Sequence, residues 1–381
     1  MKTAIINTTI ILPESMIKDG VIVIEDGKIV DFGKKISTDG MEVYDANGAY
    51  TGPGLIDVHT HADGETFFTE DAVKAASTLL RHGVTDVLPA LYFNMNADQL
   101  VEAIKTVRAA MESGKADNII GLYMEAPYMN PKFGCNRESN PWKDVVATER
   151  FAKVVDAAYD IAKVWCIAPE RENIDEFVDY VKAKNPNAIF SVAHSEAEPW
   201  QIERLMPKGL KLATHHTNAT GTLYKYPECR TACVDETALY NDTIYTELIC
   251  DKIGIHVAPY MLRLIKKIKG DDKIILIADA FVEHGPIPAD DLYEGADDIN
   301  FDFAGEIAGS KMILDGPCRN MMYHTGASLC QVFKYASRNP ARMLGIPDKG
   351  EIKVGNVANL ITVDADFNIK AVFLNGKKTE N

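Results

Sequence analysis

The stretch Leu55-Ile56-Asp57-Val58-His59-Thr60-His61-Ala62-Asp63 decides how this chain is read. Leu55 to Val58 has the apolar character of a buried strand, and it runs directly into two histidines two residues apart. Side chains at i and i+2 of a strand share a face, so the His59 and His61 imidazoles aim at one point. Burying both there is costly unless something binds them.

Working outward, apolar runs rich in β-branched residues recur at Leu55–His61, Thr85–Leu91, Ile119–Glu125, Val164–Glu170, Ile189–Ser195, Lys211–His216, Ile255–Ala258 and Ile274–Asp279. Helical material separates most of them. EDAVKAASTLLRHG (70–83) and NADQLVEAIKTVRAAMESG (96–114) carry apolar residues at three- and four-residue spacing, with a glycine just past the end. Eight such βα units predict an α/β fold of the (β/α)8 barrel type, whose active site lies at the C-terminal ends of the strands. An open, doubly wound sheet is the rival, but no Gly-rich phosphate turn follows the first strand.

The chain ends read differently. VIVIEDGKIVDFG (21–33) is a hairpin turning at Asp26-Gly27. The C-terminal segment GEIKVGNVANLITVDADFNIKAVFLNGK has Gly and Asn punctuation and no helical period. Thr51-Gly52-Pro53-Gly54 and Gly345-Ile346-Pro347 mark the transitions. The expected organisation is a small β-sandwich domain built from residues 1–53 and 346–381, with the barrel, residues 54–345, inserted between them.

Composition narrows the function. The 381 residues are 46% hydrophobic and 25% charged, and the formal net charge is −15. That balance argues against a nucleic-acid or anionic-membrane partner, since both need a basic face. The N-terminal residues lack the continuous apolar core of a signal peptide, and no apolar run approaches the ~20 residues that span a bilayer. The seven cysteines, an odd and scattered set, suit reduced thiols in a cytoplasm. Cys229 and Cys233 make at most half a zinc site, with no second pair nearby.

The strand ends hold the chemistry. Strand one ends in His59 and His61, strand three in Glu125, strand five in His194, strand six in His215-His216 and strand eight in Asp279. Any one of these could be a hydrogen-bonded core residue. Together on one rim they need a counter-ion, and imidazole with carboxylate suits a divalent cation. His216 should point away from His215 on a strand and serve packing. His82, at a helix end, suits the dipole there. His284 and His324 lack motif support, and Asp57 orients its neighbours.

The motifs PGLIDVHTH, GLYMEAP, VAHSEA, ATHHTNAT, IGIHVAP, LIADA and AGSKMILDGPCRNM, with the tail from ASRNPARMLGI to KGEIKVGNVANLITVD, follow the order seen in N-acetylglucosamine-6-phosphate deacetylases of the amidohydrolase superfamily. The chain resembles that family along essentially its whole length. The resemblance implies that Glu125, His194 and His215 are the main ligands of a divalent metal, Zn or Fe. It implies that Asp279 is the catalytic acid/base and that His256 contacts substrate. Asn218, Ala219 and Ile307-Ala308-Gly309 match further substrate-contacting positions. With His59 and His61 both retained, there is room for a second metal bridged by Glu125. VWCIAPE, at the end of strand four, has no lysine to carbamylate, unlike other amidohydrolase branches.

The departures fall at substrate positions. Tyr123 replaces the family's histidine before the glutamate, and Asn136 stands where another histidine is expected. The phosphate-gripping arginine falls near Lys225, with Arg230 close by. In the family, that loop's cation works near a subunit interface, so the resemblance also implies a homodimer. The expected reaction is hydrolysis of the acetyl group of N-acetylglucosamine 6-phosphate. The galactosamine epimer, a non-phosphorylated N-acyl compound and a non-catalytic scaffold of the same fold are the alternatives. No metal ligand is missing, which disfavours the scaffold.

Overall fold

The computed structural model describes residues 2–221, 224–226 and 229–380, without the side chains of 224–226 and 230. Its centre is a parallel sheet of eight strands: Leu55–Thr60, Val84–Tyr92, Leu122–Glu125, Ala162–Ile167, Ile189–Val192, Leu210–Ala213, Tyr245–Ile249 and Ile274–Ile277. Each pairs with the next in chain order. Just beyond the last strand, Asp279 N–H donates to His59 O and His61 N–H donates to Ala280 O, both at 2.9 Å. These bonds tie the eighth strand to the first and close the barrel, so the open-sheet rival is excluded. Leu55–Thr60 and Val84–Tyr92 are buried throughout, as parallel strands covered on both faces must be.

Helices form the outer ring, and their ends are specified locally. Helix Ala97–Glu112 starts at Asn96, whose Oδ1 accepts from Asp98 and Gln99 N–H, while Gln99 returns a bond to Asn96 N–H. That reciprocal cap satisfies donors the first turn leaves open. The same helix turns Leu100, Ala103, Ile104, Val107 and Ala110 onto the barrel.

One strand differs from expectation. The seventh is Tyr245–Ile249, and Ile255–Ala258 is a turn. The reason is local: the Asp251 carboxylate collects the N–H groups of Gly254 (2.7 Å), Ile255 (2.9 Å) and His256 (2.8 Å). Donors spent there cannot join a ladder, and Pro259 opens the next helix, Pro259–Lys269.

The strands of both chain ends form one eight-stranded sheet around an apolar core of its own, the small β-sandwich domain of this architecture. Ile5, Ile22, Ile24 and Ile29 meet Leu360 and Phe373 in that core. The turn at Asp26-Gly27 has both φ angles positive, 49° and 77°, the geometry a two-residue hairpin needs. Tyr50–Pro53 pairs with Lys2–Ile11 on one side and with Leu360–Val363 on the other, joining the two ends. A buried ion pair fastens the C-terminal segment to the barrel: Lys349 Nζ meets Asp86 Oδ1, and Asn359 Nδ2 donates to Asp86 Oδ2 at 3.0 Å. Among the described residues, no helix is long and apolar enough to cross a membrane.

Candidate metal centre and active site

Six titratable side chains converge at the C-terminal end of the barrel: His59, His61, Glu125, His194, His215 and Asp279, all buried. Glu125 is the last residue of its strand. His194, His215 and Asp279 each lie two residues past theirs, and all three have left-handed backbones with φ of 29°, 28° and 45°. Such angles cost an L-residue roughly 1–3 kcal/mol each and cluster at functional sites.

The ligand atoms fall into two groups, Glu125 with His194 and His215, and His59 with His61 and Asp279. In the first, His194 Nε2 and His215 Nε2 are 3.1 Å apart, and each lies 3.1 Å from Glu125 Oε1. A tetrahedral cation with bonds of about 2.0–2.1 Å needs donors roughly 3.3 Å apart, so this triangle is close to one face of such a site. In the second group, His59 Nε2 and His61 Nε2 lie 3.6 and 3.4 Å from Asp279 Oδ1. Glu125 Oε2 faces the same two nitrogens at 3.6 and 3.1 Å. One carboxylate therefore divides its oxygens between the groups.

The electrostatics agree. Burial alone would raise the carboxyl pKa values of Glu125 and Asp279, but the imidazoles outweigh it. The surrounding imidazoles of His194, His215, His59 and His61 hold Glu125 well below the usual range. The charge of His59 and the hydrogen bond to His61 bring Asp279 to about 2. Conversely, burial pushes His59, His61 and His215 down, and the carboxylates more than reverse it. The cluster stabilises positive charge. His59 Nε2 and Glu125 Oε2 are fully buried without a hydrogen-bond partner, a costly state that a divalent cation relieves. The residues fit a divalent metal.

A surrounding shell fixes the imidazoles. His61 Nδ1 bonds Ala90 O at 3.1 Å, and His59 Nδ1 bonds Glu247 Oε2 at 3.2 Å, leaving both Nε2 atoms for coordination. Glu247, on the seventh strand, also accepts from Tyr123 OH (3.2 Å) and His215 N–H (3.3 Å). Tyr123 stacks on His59 with ring centroids 4.3 Å apart. Sequence reasoning missed Glu247 because it placed strand seven ten residues late. The apolar run around YTELI was the available signal.

Above this floor lies a cavity of about 420 Å³, within the usual range for small-molecule sites. Asn218, Ala219, Ile307, Ala308 and Gly309 line it, as does His256. His256 Nδ1 is held by Asp251 Oδ2 at 3.1 Å, and its buried Nε2 has no partner. Gly134, at φ +92°, also lines the cavity, and a Cβ there would come within 2.7 Å of His194 Cε1 and the Tyr92 hydroxyl. Only glycine lets that loop approach so closely.

The remaining candidates lie elsewhere. Asn136 is not on the cavity wall; its Nδ2 donates to Glu283 Oε1 at 2.7 Å, and its neighbour Arg137 lines the cavity instead. The side chains of Lys225 and Arg230 lie outside the described residues. His216 is buried 3.4 Å from Asp235, where burial lowers its pKa to about 3. Asp57 sits in the barrel interior and accepts from His59 N–H at 3.2 Å; burial raises its carboxyl to about 7. His82 lies 3.4 Å from Asp315, and His324 bonds Asp251 O at 2.9 Å. Cys233 is buried and Cys229 exposed, both free thiols.

A closed (β/α)8 barrel with imidazole and carboxylate ligands at its C-terminal rim defines a metal-dependent hydrolase. The chain belongs to the amidohydrolase family, whose model matches residues 51–379. It is 29% identical to the N-acetylglucosamine-6-phosphate deacetylase of Bacillus subtilis, with 94% of this chain and 92% of that protein covered. It is 24% identical to the N-acetylgalactosamine-6-phosphate deacetylase of Escherichia coli O157:H7, covering 85% and 86%. The crystal structure of N-acetylglucosamine-6-phosphate deacetylase from Pasteurella multocida superimposes with a TM-score of 0.86 at 25% identity, over the whole of both chains.

Proposed function

We propose that this amidohydrolase hydrolyses the acetyl group of N-acetylglucosamine 6-phosphate, giving glucosamine 6-phosphate and acetate. The observation that carries the reading is the convergence of Glu125, His194 and His215 with Asp279 on the floor of one cavity, in a chain similar to deacetylases along almost its whole length. Glu125, His194 and His215 would hold a Zn²⁺ or Fe²⁺. His59 and His61, with Glu125 shared, would hold a second where one binds. When bound, a divalent cation supplies Lewis acidity and lowers the pKa of a water towards ~7.

The chain's own groups do the rest. The Asp279 carboxylate accepts a proton from the attacking water and delivers it to the departing nitrogen, since amines leave poorly as anions. His256, fixed through Nδ1 by Asp251, turns Nε2 into the cavity to contact the substrate. Asn218, Ala219 and Ile307-Ala308-Gly309 hold the sugar. Lys225 and Arg230 serve its phosphate near the interface of a homodimer. The seven cysteines, all free among the described residues, accord with a cytoplasmic site of action.

The test is acetate release by metal-loaded protein from N-acetylglucosamine 6-phosphate, N-acetylgalactosamine 6-phosphate and their unphosphorylated forms. Preference for the first supports the reading. Preference for the second reassigns the sugar, and equal rates with and without phosphate remove the protein from sugar-phosphate metabolism.

A further inference from the structure

We propose that Arg137 selects substrates carrying an anionic group, by exchanging its intramolecular partner Glu306 for that group; this deepens the deacetylase reading and rests on it. Arg137 follows barrel strand three, just past Gly134, and Glu306 lies on the hairpin joining Ile299–Phe301 to Ile307–Ser310. Both line the cavity. The guanidinium donates in parallel, Nη1 to Oε2 at 2.7 Å and Nη2 to Oε1 at 2.5 Å, and Nη1 also donates to Gly134 O at 3.3 Å. That fork fits a phosphate as well as it fits a carboxylate.

Three observations make the exchange favourable. The side chains are 37% and 38% exposed, so the pair is worth about 0–1 kcal/mol and its loss costs little. Among the described residues, which leave out the Lys225 and Arg230 side chains, no other lysine or arginine lines the cavity, in a chain of net charge −15. Asn136, the neighbouring polar group, is turned away to Glu283. The Arg137 loop is also seated against the metal centre through Gly134, which packs on His194. Glu306 immediately precedes Ile307-Ala308-Gly309, which lines the same cavity.

The exchange makes two variants behave with opposite sign. Arg137→Ala should raise KM for N-acetylglucosamine 6-phosphate about ten- to a hundredfold, the worth of hydrogen bonds to a charged group, with little change in kcat. Glu306→Gln removes a competitor and should lower that KM. Neither should alter KM for N-acetylglucosamine by more than about twofold. Binding of glucose 6-phosphate, which has no acyl group to lose, is measured in parallel by calorimetry and should weaken with Arg137→Ala. If both variants raise KM alike, or shift both substrates equally, the pair is a structural clasp and the inference is overturned. It is also overturned if glucose 6-phosphate binds independently of Arg137 or does not bind. Absence of acetate release by the native protein, with Arg137-dependent binding of glucose 6-phosphate, would instead overturn the deacetylase reading alone.

Discussion

His194 Nε2 and His215 Nε2 face each other across 3.1 Å at the C-terminal mouth of the barrel. Two neutral imidazoles that both present lone pairs repel at that distance. Both also lie beside Glu125 Oε1, so the arrangement is that of ligands around a cation. At least one equivalent of Zn²⁺ or Fe²⁺ per chain is expected by elemental analysis of metal-loaded protein. Chelation should lower the thermal midpoint, because a ligand bound only by the folded state stabilises it, and added Zn²⁺ should restore it. Less than half an equivalent bound would refute the site.

Glu247 is the partner of His59 Nδ1 and touches no ligand atom of the first group. Glu247→Gln should therefore weaken metal affinity about ten- to a hundredfold without unfolding the barrel. Competition with a chelator, read beside circular dichroism, separates the two effects. Unchanged affinity would remove Glu247 from the metal centre.

Asp279→Asn keeps the shape of the side chain and removes its proton acceptance. A loss in kcat of roughly a thousandfold is expected, within the ~10²–10⁴ of general acid–base catalysis, with metal content little changed. Near-normal turnover by the variant would show that another group moves the proton.

Asp251 holds His256 by both backbone and ring, which makes it a positioning residue. Asp251→Asn should lower kcat about tenfold or more, with metal content unaltered. Asp251 also affects stability. Burial alone would raise its pKa, but the bonds and charge of His256 bring it to about 2, against an ordinary 3.8. Its carboxylate therefore stabilises the fold fully above pH 3.8, and that contribution disappears as pH falls through about 2. Unfolding followed across that window should show the wild-type advantage over Asp251→Asn shrinking with acid. A constant difference would contradict the assignment.

Lys349→Met leaves the buried Asp86 carboxylate without its cation. Breaking a buried pair costs about 3–5 kcal/mol, so denaturant unfolding should show a loss of that order. A companion change, Asp86→Asn, should recover part of it in the double variant. If Lys349→Met alone is neutral, the link between the C-terminal segment and the barrel carries no stability.

The barrel and most of its rim were legible because parallel strands are buried on both faces. Their apolar runs stand out, and the residue ending each run falls at the mouth. His59, His61, Glu125, His194, His215 and Asp279 stand at or just past those run ends and converge there. Strand seven was misplaced because YTELI is broken by Thr246 and Glu247 and reads as no more strand-like than IHVA, and Asp251's capture of three amide N–H groups is what makes the latter a turn. Glu247 was lost with it. Arg137 escaped notice for a different reason: it comes to the cavity through a loop, where no period in the sequence predicts direction.

The sheet shared by both chain ends has a consequence for the order of events during synthesis. Tyr50–Pro53 needs Leu360–Val363 as its neighbour, yet roughly 300 residues separate them. At about 5–20 residues per second, the ribosome holds one flank of the nascent N-terminal strands unpaired for about 15–60 s while the barrel emerges. An open strand edge of that duration invites pairing with another chain, so slow elongation or C-terminal truncation exposes this protein to aggregation at its beginning, far from the lesion.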